Sequence, residues 1–120
     1  GVYAPGFSTF IQSLRCCASA CEKTLIILEQ NRMNAKLNSQ LIKAVNLALN
    51  GDWHLAHSIA QESNDATACW IHAVLHKIEG DEGNSRYWYA RTNANYEDYT
   101  DPDTELKAIA LSLNKNLSQQ

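Results

Sequence analysis

The segment AVNLALNGDWHLAHSIA, residues 44–60, is followed 29 positions later by AVLHKIEGDEGNSRYWY, residues 73–89, and the two align without a gap. Ala44 matches Ala73, Val45 matches Val74, Gly51 matches Gly80, Asp52 matches Asp81, and Ala56 matches Ser85. Each copy reads as an apolar-periodic helix, a Gly-Asp stop and a second helix. Glycine accepts the left-handed conformation that closes a helix, and aspartate accepts from the free amides of the next. The small residue four places after the aspartate marks a close approach of the two helices. Used twice, this is an antiparallel helical hairpin.

The rest of the chain fits the same class. Only two prolines and five glycines interrupt a composition that is 45% hydrophobic, so long helices and one core are within reach of 120 residues. About six helices are expected, at 8–30, 34–49, 53–62, 66–79, 83–92 and 104–117. They form a single domain over 1–120, with a loose start at 1–6 and a polar loop at 93–102. Phe10, Leu14, Cys17, Cys21, Leu25 and Leu28 make one stripe on the first helix, which places Cys17 and Cys21 in the core. Leu37, Leu41, Ala44, Val45 and Ala48 do the same on the second, and Leu106, Ile109, Ala110, Leu113 and Leu117 on the last. In the loop, Asp98, Asp101 and Asp103 lack the central glycine and final glutamate of a calcium-binding EF-hand. Asp101 reads instead as an N-cap before Pro102, with Asp103 and Glu105 favouring the positive helix end.

Charge narrows the partners. The net charge is −3 with ten Lys plus Arg, and no basic stripe is present to neutralise a run of phosphates, so nucleic acid is not expected. Residues 79–105 hold eight acids against Arg86 and Arg91 alone. Cys16, Cys17 and Cys21 crowd one helical segment, where neighbouring bridges would be strained. Reduced thiols and a cytoplasmic setting follow as expectations. No apolar run approaches the roughly 20 residues that cross a bilayer, so no membrane partner is expected.

Helix 66–79 carries the chemistry. Trp70, Ile71, Val74, Leu75 and Ile78 share one arc and face the core, whereas Cys69, His72, His76 and Glu79 share another. His57 and Gln61 are four apart on the preceding helix; Asn84, Tyr87, Trp88 and Arg91 share an arc of the following one. Consecutive packing would bring these edges to one cleft. His72 and His76, at i and i+4, have the spacing to chelate a divalent metal, with His57, Glu79 or Cys69 as a third ligand. HAVLH lacks the glutamate that acts as base in H-E-x-x-H metalloproteases, so that class is not supported. A small polar ligand could instead be oriented by the imidazoles, Gln61, Asn84 and Tyr87, with Trp88 as a wall and Arg91 as an anion clamp. A third reading is a polar packing network, with His57, His72 and His76 bonded to Glu79, Tyr87 and backbone carbonyls.

Two resemblances bear on this. Gly80-Asp81, Ser85 and Tyr89 resemble the turn, small residue and aromatic of a tetratricopeptide repeat, at a period below that repeat's ~34 residues. AHSIAQ with HAVLHKIEGDEGNSRYWYAR is similar to the signature A-H-x-I-A-Q, a short gap, then Y-W-H-A-I-[LM]-H-R-R-E-G-D-Y-x-N-A-x-Y-W-[FY]-R-R, of a family of small, functionally uncharacterised helical proteins. The matching positions are His57, Ala60, Gln61, His72, Ala73, His76, Glu79, Gly80, Asp81, Asn84, Tyr87, Trp88 and Arg91. Ile78 and Ala90 stand where that pattern carries arginine, and Glu82 where it carries an aromatic. The resemblance marks a site without naming an activity.

The favoured expectation is a non-catalytic binding or scaffold module, with a His/Tyr/Arg-lined cleft for a small ligand or a protein partner. The alternative is a metal-binding protein or metal-dependent enzyme built on His72 and His76 with His57 or Glu79.

Overall fold

The computed structural model describes the backbone of residues 3–118 and the side chains of residues 21–115. These are all-helical, with no strand among the described residues: α1 Tyr3–Leu49, α2 Trp53–Ala60, α3 Ala66–Glu79, α4 Glu82–Tyr89, a 3-10 turn Tyr96–Asp98, and α5 Pro102–Ser118. The contacts divide the chain into two units, Gly1–Ala35 and Lys36–Gln120, and the residues of α1 are shared between them.

Five helices thus replace the six expected, because 8–30 and 34–49 belong to one helix. The intervening Asn31-Arg32-Met33 contains neither glycine nor proline, and nothing in it disrupts the backbone ladder. α1 begins at Tyr3, within the stretch read as a loose start. In the first unit the stripe through Cys21, Leu25 and Leu28 is exposed, as are Ile26, Ile27 and Met33. Cys21 is therefore not a core residue. Phe10, Leu14 and Cys17 lie outside the described side chains.

The second unit follows the near-repeat closely. Gly51 and Gly80 have φ of +86° and +85°, the left-handed region that a Cβ disfavours. Each closes its helix in the same way. At the first stop, Asp52 N donates to Leu47 O at 2.8 Å and Gly51 N to Ala48 O at 3.1 Å. At the second, Asp81 N donates to His76 O at 2.9 Å and Gly80 N to Lys77 O at 3.1 Å. This pair of bonds is the Schellman stop, repeated at the sequence period. Asp81 caps α4 by accepting from Asn84 N, and Asp65 caps α3 by accepting from Thr67 N. Asp52 holds the N-cap position of α2 without a side-chain hydrogen bond, contrary to the capping role read for it.

Ala56 and Ser85, the small residues of the two copies, are both fully buried. Ser85 Oγ donates to Ala73 O at 2.7 Å, which ties α4 directly to the backbone of α3. α3 is the central element, packed against α2, α4 and α5. The core joins Leu41, Val45, Ile71, Val74, Leu75, Leu106, Ile109 and Leu113 with a set of alanines that allow the helices to approach. Trp70 is only half-buried and Ile78 is exposed, so the apolar arc of α3 is narrower than its sequence suggested.

Asp101 caps α5 as expected, accepting from Asp103 N, Thr104 N and Thr104 Oγ1. Glu105 differs from expectation. It is buried, not a surface acid tuned to the helix end, and its Oε1 accepts from Lys77 Nζ at 2.8 Å. Its Oε2 accepts from Tyr89 Oη at 2.6 Å and Trp70 Nε1 at 2.8 Å. Lys77 Nζ spends its other donors on Tyr96 O and Tyr99 O. One buried ion pair therefore clamps α5 and the 90–101 segment to α3. No described helix is long and apolar enough to cross a membrane.

Candidate metal centre

The chain has four histidines, and all lie on α2 or α3: His54 and His57 on the first, His72 and His76 on the second. The i, i+4 spacing puts His72 and His76 on one side of α3, and α2 packs against that helix. Ring centroids are 4.6 Å apart for His57 and His72, 5.3 Å for His57 and His76, and 4.9 Å for His72 and His76. One ligand atom from each imidazole falls in a set whose members all lie within 4.8 Å of one another. His72 and His76 are buried and His57 is half-buried.

Two indoles bracket the cluster. Trp53 stacks on His57 at 4.7 Å with planes 9° apart, and its Nε1 donates to Leu75 O at 2.6 Å. Trp88 stacks on His72 at 4.0 Å with planes 18° apart. Stacking occupies the ring faces and leaves the in-plane nitrogen lone pairs free to bind. None of the three imidazoles makes a hydrogen bond among the described residues. Of the packing network read from the sequence, with His57, His72 and His76 bonded to Glu79, Tyr87 and backbone carbonyls, the contact between His76 and Glu79 is present, and the bonds to Tyr87 and to backbone carbonyls are not formed. His76 Nδ1 is buried and unpartnered, with Glu79 Oε1 at 3.4 Å.

Burial, and then the nearby His57 and His76, push the His72 pKa down to about 4. Burial chiefly, then His76, also lowers His57; Glu79 opposes this and His54 adds a smaller lowering effect. His72 is therefore uncharged at neutral pH and His57 is biased the same way, towards the form in which imidazole binds metal. A stability consequence follows. Between pH 6.5 and about 4 the unfolded chain protonates His72 and the folded chain does not, so acid favours unfolding. Metal-free protein is expected to lose on the order of 3 kcal/mol across that window through His72. Urea unfolding at pH 7 and pH 4.5 checks this, with His72→Phe expected to flatten the slope; identical slopes would refute it.

The remaining site residues separate. Trp88 joins the cluster. Tyr87 is exposed, and Arg91 lies over its ring at 3.9 Å and 5.5 Å from the Trp88 ring. Asn84 is engaged in the α4 cap, its Nδ2 donating to Asp81 Oδ2 at 2.7 Å. Gln61 is exposed at the end of α2. Cys69 is buried, its thiol faces Asn64 O, and burial raises its pKa, so it is not a poised third ligand. Glu79 and Asp81 form a second set with His76, but Asp81 already caps α4. Trp53 was missed as a site residue, although its i, i+4 relation to His57 on a short helix was visible in the sequence.

Cavities of about 380, 190 and 480 Å³ border the 92–100 segment, lined among others by Trp70 and Tyr99, by Arg86 and Tyr96, and by Lys77 and Pro102. None of these three includes a histidine. The chain thus contains a His/Glu cluster with the geometry of a possible divalent-metal site. No family model matches the chain, and no curated protein or solved structure matches it.

Proposed function

We propose that the protein binds one divalent transition-metal ion through His57, His72 and His76. The observation that carries this reading is the meeting of three imidazoles from two helices, stacked but not hydrogen-bonded, with a buried nitrogen of His76 left unpartnered. A buried polar atom without a partner costs about 1–3 kcal/mol, and a bound ion, by fixing the ring and its tautomer, would give the cluster a purpose that packing alone does not. Tetrahedral coordination at about 2.0–2.1 Å per bond brings ligand nitrogens to about 3.3 Å from one another. The present set, within 4.8 Å, reaches that by small ring rotations.

Three imidazole ligands suit zinc, copper, nickel or iron(II) rather than calcium or magnesium. Glu79, beside His76 Nδ1, takes the place of the carboxylate that commonly orients a ligating histidine. Three protein ligands leave a coordination position for water or a substrate, and such an ion acidifies bound water and polarises oxygen donors. This reading is better supported than a purely organic cleft, because Asn84 is spent on a cap and Gln61 is exposed. The helical hairpins with their repeated Gly-Asp stops serve, in this account, as a tetratricopeptide-like frame that holds α2 and α3 in register.

The test is titration of chelator-stripped protein with zinc, followed by tryptophan emission because Trp53 and Trp88 lie on ligand rings. One equivalent per chain, bound at about micromolar concentration or tighter, is expected. Absence of saturable binding would overturn the proposal.

A further inference from the structure

Resting on that metal reading, we infer that the open coordination position takes an oxyanion, a carboxylate or phosphate group, and that Arg91 with Tyr87 forms its specificity-determining rim. Arg91 is unusual in its surroundings. Residues 79–105 hold eight acids and two arginines, and Arg86 is paired with both Glu82 and Glu97. Arg91, in the same acid-rich segment, has no carboxylate partner among the described residues; its polar contact there is a donation from Nη1 to Tyr87 O at 3.3 Å.

Its position is set by rings. The guanidinium lies over Tyr87 at 3.9 Å and 5.5 Å from the ring of Trp88, the same indole that stacks on His72 at 4.0 Å. A single side chain thus separates Arg91 from a proposed ligand ring. Arg91 also acts electrostatically on Cys69, one turn before His72 on α3. Held over the Tyr87 ring with one donor spent on Tyr87 O, the guanidinium keeps further N–H donors for an oxyanion. The Tyr87 hydroxyl, half-exposed and without a hydrogen bond among the described residues, supplies a further donor.

Charge makes the ion necessary. Without it, Glu79 and Asp81 beside His76 disfavour an anion; a divalent cation held by the three imidazoles reverses the local sign. The cation would then attract the oxyanion, and the guanidinium at the rim beyond Trp88 would favour it further. Arg91 is exposed, so its replacement does not disturb the core.

The experiment measures inorganic phosphate and acetate binding by calorimetry on zinc-loaded protein freed of excess metal, with zinc content determined for every sample. Zinc-loaded wild type is expected to bind at least one of the two, and the tighter one names the oxyanion class. Arg91→Gln is expected to weaken that binding about tenfold or more with zinc content unchanged, and Arg91→Lys to fall between, since lysine lacks the planar fork. Zinc-free wild type is expected not to bind. Equal affinities in wild type and Arg91→Gln, or retained zinc with no oxyanion binding, would overturn the inference while leaving the metal reading intact. Failure to take up zinc would overturn both.

Discussion

Replacing His72 and His76 together with alanine is expected to weaken zinc binding by more than about 100-fold, whereas His54→Ala should leave it within about twofold. Loss of a carboxylate that merely orients a ligand already costs about 10- to 100-fold, and removal of two ligands from three must exceed that. His57→Ala discriminates further. If His57 completes the set, its loss should be comparable to that of either α3 histidine, while Glu79→Gln should cost only the smaller, orienting share. The reverse order would move the third ligand to Glu79, within the alternative set of His76, Glu79 and Asp81. Competition against a zinc chelator of known affinity reads the wild type, these variants and the single His72→Ala and His76→Ala proteins. Alanine also relieves the crowding of buried rings, so thermal unfolding of the metal-free variants is a needed companion.

The second large effect is expected at Glu105. Its carboxylate is inaccessible to solvent, and Lys77 is nearly so, yet all three ammonium donors and both carboxylate oxygens are satisfied. Glu105→Leu strands the Lys77 charge and leaves Tyr89 Oη and Trp70 Nε1 without their acceptor. A loss of about 3–5 kcal/mol is expected, a large share of the stability of a small domain. Glu105→Gln keeps an acceptor and should cost less. The double replacement Lys77→Met/Glu105→Leu removes both charges and should recover part of the deficit. Equilibrium urea unfolding measures each. A Glu105→Leu protein as stable as wild type would show that the clamp contributes nothing. Tyr89 bears on the same network, because burial and its bond to Glu105 keep the phenol protonated far above the usual range.

Local chemistry was readable where it is local. The Gly51 and Gly80 stops, the buried Ala56 and Ser85, the full extent of α3 and the Asp101 cap follow from residues within one turn of each other, and the structure has them all. The His72/His76 pair was equally plain, since helical spacing alone aligns it. Choosing between His57 and Glu79 was not possible, because it depends on how α2 packs on α3. Trp53 escaped notice for the same reason: its ring acts through tertiary stacking and a bond to Leu75 O, 22 residues away.

Two misreadings share a cause. Glu105 was assigned to the helix end because its partner, Lys77, lies 28 positions earlier and on another helix. The Cys21-Leu25-Leu28 stripe has correct periodicity but is exposed. Periodicity shows that a face is apolar and leaves open what covers it. The break expected between 30 and 34 has neither glycine nor proline to impose it, and the helix runs through.

The most direct test of the central claim is the position of the metal. Anomalous diffraction at the zinc edge from crystals of zinc-loaded protein is expected to show one peak per chain, about 2.0–2.1 Å from one nitrogen each of His57, His72 and His76. A peak held instead by Glu79 and Asp81, or no ordered peak at the three imidazoles, would contradict it.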